Sequence, residues 1–185
     1  MRVVVFDGLE KERRMANALK DMIRKRSKEF SDFKLKNMNI LPCRSCGACG
    51  CKTPGKCIID DDMPKILKAF APSSMVVFIT PIRFGGYSSQ LKKAVDRLMI
   101  IGEPLYEVKK GHLLHPMRYG DKAFIVVGFV EDKLPGQEEA FKVLVTNNAL
   151  NMQLSYNKAL IFTEADSFAA LEIELSKVFE EVGIG

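Results

Sequence analysis

No stretch of this 185-residue chain reaches the ~18 to 20 consecutive apolar residues that a membrane-spanning helix needs. The longest apolar runs, Met75–Ile79 and Ala123–Val130, have the length of buried strands. The opening MRVVVFDGLE has one basic residue and a short apolar run but no cleavage-site pattern. No signal peptide is expected, and the cytoplasm is the expected compartment. There is no internal repeat, low-complexity tract or linker, so residues 1–185 are expected to form a single domain. Cysteine is missing everywhere except between Cys43 and Cys57, where all five fall. A disulfide framework would spread them along the chain. Crowding into one loop points instead to metal or redox chemistry. A Gly-x-Gly-x-x-Gly fingerprint is also missing, so a resident dinucleotide is not supported.

Hydrophobic residues make up 47% of the chain and charged residues 28%, close to ordinary globular usage, which excludes a disordered or fibrous class. A chain this long buries roughly 70% of the surface that its unfolded form exposes, so it needs no covalent staple. The 28 basic and 23 acidic residues leave a net charge of +5. The densest basic cluster, Arg24, Lys25, Arg26 and Lys28, closes a predicted helix, where cations suit the dipole. Nucleic-acid binding would rest on that cluster alone and is not expected.

The periodicity alternates strand and helix along the whole chain. Arg2–Phe6 reads as a strand, and Met15, Leu19, Met22 and Ile23 recur at helical spacing after it. Phe33–Asn37 is the second predicted strand, followed by a cysteine loop at about 42–59. Asp60, Asp61 and Asp62 open a helix carrying Met63, Ile66, Leu67 and Phe70, where capping and the dipole account for the carboxylates. Met75–Thr80 is a third strand, and Pro81–Tyr87 a loop ending at the N-cap Ser88. The next helix carries Leu91, Val95, Leu98 and Met99. A polar connection, about Gly102 to Tyr119, holds His112 and His115. Then come a strand at Ala123–Val130, a helix at Gln137–Gln153, a strand near Ala159–Thr163 and a last helix with Leu171, Leu175, Val178, Phe179 and Val182. This is a three-layer α/β/α fold around a five-stranded parallel sheet, with strand order 2-1-3-4-5. Ligands of such sheets sit at the carboxyl ends of the strands, so the loops after strands one, three and four should line a site.

The cysteines read Cys43-x2-Cys46-x2-Cys49-x7-Cys57, with Cys51 extra. Two-residue gaps let successive thiolates converge, and three of these plus a distant fourth suit a [4Fe–4S] cluster. Zinc more often takes two separated pairs, and free thiols are the plain alternative. Ser45, Gly47 and Ala48 between the ligands are small and leave room for a cluster. The glycines of Thr80-Pro81-Ile82-Arg83-Phe84-Gly85-Gly86 would let backbone amides approach a ligand closely, and they would serve a plain strand-to-helix turn equally well. The first loop, Asp7-Gly8-Leu9-Glu10-Lys11-Glu12-Arg13-Arg14, has no Ser or Thr and three carboxylates, which would repel an anion at the helix start unless Lys11, Arg13 or Arg14 offset them. His112 and His115 read as ordinary loop residues, with a proton-donor role as the alternative.

The stretch CRSCGACGCKTPGKCIIDDDM, followed by TPIRFGGYSSQLKKAVDRL, resembles the iron–sulfur flavoprotein and NADPH-dependent FMN reductase families of the flavodoxin-like superfamily. The similarity is close over 41–100 and looser over 111–128. The resemblance implies an FMN-dependent oxidoreductase or electron-transfer flavoprotein, a homodimer or homotetramer. It would serve a redox partner or small-molecule acceptor, with NAD(P)H as a transient donor over the flavin. By position, Cys43, Cys46, Cys49 and Cys57 would ligate a [4Fe–4S] cluster. Thr80 through Gly86 would lie against the flavin ring, with Gly8, Lys11 and Arg13 at the phosphate. Arg83 stands where family members often carry Tyr; it would stack on the ring or stabilise reduced flavin, or sit on the surface. The family's first loop is a Gly-Ser…Arg…Ser/Thr type, from which this chain departs. That departure supports the alternative function: a non-enzymatic flavodoxin-like protein that binds a metal or a protein partner.

Overall fold

Strand burial follows the order expected of a sheet covered on both faces. A computed structural model describes residues 1–109, 111–131, 134–163 and 165–183. The strands β1 (Arg2–Asp7), β3 (Met75–Pro81) and β6 (Ala123–Phe129) are almost wholly buried, and β2 (Glu29–Lys34) and β7 (Tyr156–Phe162) are half-buried. All pair in parallel in the order β2-β1-β3-β6-β7, which is the expected 2-1-3-4-5 counted over these five strands. The apolar β-branched and aromatic runs therefore form the middle of the sheet, and the mixed sequences form its edges.

Side chains alternate between the two faces. Val4, Phe6, Val76, Phe78, Phe124 and Val126 pack beneath α3 (Met63–Phe70), α4 (Ser89–Arg97) and α5 (Gln137–Asn151). Val3, Val5, Val77, Ile79, Ile125 and Val127 pack beneath α1 (Arg14–Lys25) and α6 (Phe168–Glu181). Phe78 anchors the first face, its ring 4.9 Å from those of both Phe6 and Phe124. Ser88 caps α4 as expected, its Oγ accepting the Leu91 N–H at 3.3 Å.

Three expectations need correction. The second strand begins at Glu29, not Phe33, because β1 pairs in register from Arg2↔Glu29 to Asp7↔Lys34. Leu35–Asn37 is a 3-10 turn that drops Leu35 into the core. The polar connection contains an antiparallel hairpin, β4 (Glu107–Lys109) and β5 (His112–Leu114), too short and too exposed to leave a strand signal. The Asp60–Asp62 run does more than complement a dipole, since Asp61 forms a buried ion pair described below. The basic cluster ending α1 is partly absorbed by packing: Arg24 pairs with Asp21 and lies over Phe30, and Arg26 lies over Phe179. Among the described residues, no helix is long and apolar enough to cross a membrane.

Candidate functional site

The loops after β1, β3 and β6 meet at the carboxyl edge of the sheet, where the strand order switches. The first loop is held tightly. Gly8 N–H donates to Ile79 O at 2.8 Å, and its carbonyl accepts from Ser88 Oγ at 2.8 Å. A Cβ on Gly8 would lie 2.7 Å from Leu91 Cβ, so glycine is required to bring α4 this close. Both polar groups of Gly8 are therefore committed within the protein.

Two of the three carboxylates of this loop, those of Asp7 and Glu12, are already neutralised. Lys20 pairs with Asp7 and, at 3.0 Å, with Asp32; Asp7 also accepts the Leu9 N–H at 3.0 Å. Lys34 pairs with Glu12 at 2.8 Å, which lowers the Glu12 pKa and raises that of Lys34. The α1 N-terminus, at Arg14, has no side-chain cap and no acid in its first turn. Its first amides thus lack helical acceptors. Around them a shallow depression is lined by Lys11, Arg13, Asn17, Lys34 and Lys36, with Asp7 and Glu12 on its wall. Lys34 ends β2 and Lys36 lies in the 3-10 turn after it, and neither was singled out in the sequence, where the candidate phosphate contacts were Gly8, Lys11 and Arg13 of the first loop.

Beyond β3, Arg83 and Gly86 exchange backbone bonds of 3.0 and 2.8 Å around Phe84 (φ +51°) and Gly85 (φ +75°). Two left-handed residues between exchanged bonds make a type I′ turn. A Cβ on Gly85 would lie 2.8 Å from Ala140 Cβ. Phe84 is 94% exposed at its tip. A bulky residue in that conformation is an outlier worth about 1–2 kcal/mol. The expected ring contacts divide in two. Thr80, Pro81 and Ile82 are buried: the Thr80 hydroxyl takes the Ser88 N–H at 2.9 Å, and Ile82 N–H donates to Phe129 O at 2.8 Å. Arg83, Phe84 and the half-buried Gly86 form the accessible face.

Glu131, just past β6, joins these loops. Its Oε1 lies 2.9 Å from Arg13 Nη2 and its Oε2 lies 2.9 Å from Arg83 Nη1. Arg13 also lies over the Phe129 ring at 5.3 Å. Arg13 and Arg83, both singled out in the sequence, thus meet across one carboxylate that was not.

The cysteine loop is folded by its small residues. Ser45 (φ +50°), Gly47 (φ +67°) and Gly55 (φ +76°) turn the chain, and one helical turn, α2 (Ala48–Cys51), lies between them. Ser45 N–H points at Cys43 Sγ at 3.4 Å, and Gly55 N–H donates to Cys49 O at 3.0 Å. Burial raises the Cys49 pKa, and the neighbouring Cys57, Cys43 and Cys46 raise it further. The four spaced cysteines therefore share one neighbourhood. Cys46 and Cys51 are exposed, and the other three are partly buried. Among the described residues, no three Cys, His, Asp or Glu side chains converge on one ion.

One ion pair fastens this loop to the domain. Arg97 grips Asp61 at 2.7 and 3.1 Å and also donates to Leu41 O at 3.0 Å, with both side chains sealed from solvent. Burial pushes the Asp61 carboxyl up, but Arg97 and the Leu41 and Met63 amides outweigh it and hold the group below the usual carboxylate range. The ring turn sits at the N-terminus of α4 and the Arg97–Asp61 pair at its C-terminus. Nine residues of helix, about 13 Å, separate them. A cleft of about 780 Å³ runs from Thr53 and Cys57 along Met63 and Leu67 to Tyr119. His115 is structural, its Nδ1 2.8 Å from Glu103 O and its ring 4.1 Å from that of Tyr106; His112 is exposed on the hairpin.

Comparison with known proteins bears on the family and the fold. An iron–sulfur flavoprotein of Methanosarcina thermophila is 27% identical over 96 residues, covering 52% of this chain and 49% of that one. An iron–sulfur flavoprotein of Archaeoglobus fulgidus is 28% identical over 137 residues, covering 74% and 64%. The chain thus spans about half to two-thirds of the length of these relatives. The solved structure of an NAD(P)H:quinone oxidoreductase from Methanothermobacter marburgensis superposes with a TM-score of 0.65 at 12% identity, over 95% of this chain and 92% of that one, so the fold is flavodoxin-like. The family described as NADPH-dependent FMN reductase matches residues 1–163, and the chain belongs to it.

Proposed function

We propose that this protein is an FMN-dependent NAD(P)H reductase that delivers electrons to a quinone-like acceptor or a redox partner. One observation carries the reading: the I′ turn that holds Arg83 and Phe84 outward faces Arg13 across Glu131 at the carboxyl edge of the sheet. Family membership supports it. FMN, when bound, accepts a hydride from reduced nicotinamide and hands its two electrons to an acceptor. The residues present fit such a group. The uncapped start of α1 and the lysines Lys11, Lys34 and Lys36 suit a phosphate. Two of the three carboxylates that would repel it, those of Asp7 and Glu12, are already paired. Arg83, paired with Glu131, would place a guanidinium beside a flavin bound here, and Phe84 would offer it an aromatic face above the turn. Among the described residues, the amide of the exposed Phe84 has no internal acceptor, which leaves it for a ligand edge.

The chemistry of the donor set also fits a [4Fe–4S] cluster held by Cys43, Cys46, Cys49 and Cys57. The four thiols share one neighbourhood, and among the described residues no three of them converge on one ion. The hairpin exposes Leu105, Tyr106, Val108 and Leu113, and we assign that apolar surface to contact with a second copy of the chain.

The test is anaerobic titration of apoprotein into FMN, followed by NADPH oxidation with a soluble quinone. Quenched flavin fluorescence and quinone-dependent turnover are expected. Unquenched flavin at high protein concentration would overturn the reading in favour of the non-enzymatic alternative.

A further inference from the structure

The cysteine loop has a cation packed on it for which the described residues supply no anion. Arg118 follows the β4–β5 hairpin, and its backbone is pinned: its N–H donates to Ile101 O at 2.9 Å, and Met117 bridges to Gly102. The side chain lies along Gly55. A Cβ built there would be 3.7 Å from Arg118 Nε and 3.8 Å from Cζ. Gly55 is the left-handed residue of the Thr53-Pro54-Gly55 turn, whose amide is bonded to Cys49 O and which leads into Cys57. Cys49, Cys57, Met117 and Tyr119 all pack against the same face of the core. The guanidinium is thus placed on the segment that joins two of the candidate ligands.

Nε and Nη2 of Arg118 are closed off from solvent, and neither has a hydrogen-bond partner. Arginine cannot escape by losing its proton. Two of the three guanidinium nitrogens of Arg118 are thus desolvated without a partner, while the residue as a whole is half-buried. Of the other guanidinium groups in this region, that of Arg97 is already neutralised by Asp61 and that of Arg44 is exposed to solvent. Two of the candidate ligands, Cys49 and Cys57, flank the segment that Arg118 covers and pack on the same face of the core.

We propose that Arg118 is the counter-cation of an anionic metal–thiolate centre on Cys43, Cys46, Cys49 and Cys57, and that it sets the reduction potential of that centre. This rests on the cluster reading above. Four thiolates around a cubane make an assembly of net negative charge, and adding one electron makes it more negative. A fixed positive charge beside it stabilises the reduced form more than the oxidised form. The electron comes from the external reductant, and no proton need move. Arg118 acts as a positioning charge, not as a ligand.

The experiment is anaerobic reconstitution of the full chain with ferrous iron and sulfide, in the wild type, Arg118→Met and Arg118→Lys, followed by iron analysis and redox titration of the visible absorbance. At equal iron content, R118M is expected to show at least a tenfold lower ratio of reduced to oxidised cluster at a fixed potential, which is about 59 mV for a one-electron couple. R118K, which keeps the charge, is expected to recover at least half of that shift. If R118M takes up no iron while R118K fills as the wild type does, the charge requirement is likewise upheld. An R118M titration within twofold of wild type, or equal loss of iron in both variants, overturns the role of Arg118 and leaves the cluster standing. Failure of the wild type to take up iron overturns the cluster itself.

Discussion

Replacing Asp61 by Asn should destabilise the protein more than any single surface change, and the structure says by how much. Asp61 accepts the Leu41 and Met63 amides at 2.9 and 3.0 Å besides gripping Arg97. An amide of the same shape keeps part of this network but leaves the Arg97 guanidinium buried without its counter-charge. Breaking a sealed pair from one side costs about 3–5 kcal/mol. With a urea m-value of about 2 kcal/mol/M, the unfolding midpoint should fall by ~1.5–2.5 M. The double variant Asp61→Leu/Arg97→Met should lose much less than the sum of the two single losses, because no charge is then left buried. The pH dependence has a definite sign. The carboxyl is held below its unfolded value of about 3.9, so the pair's contribution is complete above that pH and fades as pH falls through the lowered folded value. The D61N variant should lack that acid slope. A midpoint shift under ~0.3 M for D61N, or strictly additive losses in the double variant, would refute the reasoning.

Further outcomes are expected at the other parts of the site. Lys34→Ala with Lys36→Ala should weaken FMN binding about tenfold or more at low salt and leave riboflavin binding unchanged; equal losses for both ligands would remove the phosphate assignment. Phe84→Gly relieves a left-handed aromatic, so chemical denaturation should show it no less stable than wild type, while kcat/KM for quinone reduction falls; loss of stability together with activity would mean the tip is structural. Val108→Ser with Leu113→Ser should turn an oligomer into a monomer in light scattering, and an unchanged mass would move the contact elsewhere.

The central strands were legible because burial on both faces writes continuous apolar runs, as in Met75–Ile79 and Phe124–Val127. The edge strand β2 was misplaced for the converse reason. EFSDFK alternates only weakly, and its start is set by pairing with β1, which no local pattern records. Hairpin β4–β5 is three residues a side and exposed, so neither length nor periodicity marks it. At the site, sequence reasoning reached the glycine turn and the spaced cysteines, whose chemistry is local. It did not reach Glu131, Arg118 or the Lys34–Lys36 pair, because each acts across the chain on a loop it does not adjoin.

The same distinction explains how the first loop misled. Taken alone, Asp7, Glu10 and Glu12 argue against an anion at the start of α1. In the fold, Asp7 is turned inward onto Lys20, and Glu12 is turned aside onto Lys34. Lys36 reaches over to the Glu10 carbonyl at 3.2 Å. One of these carboxylates, that of Glu12, thus holds Lys34 at the rim of the depression, the Glu10 backbone holds Lys36 there, and Asp7 is closed against the buried Lys20. Charges that read as repulsive in one dimension position cations in three. On the proposed function, a loop without Ser or Thr would meet a phosphate with lysine side chains and the uncapped amides of α1 rather than with hydroxyls.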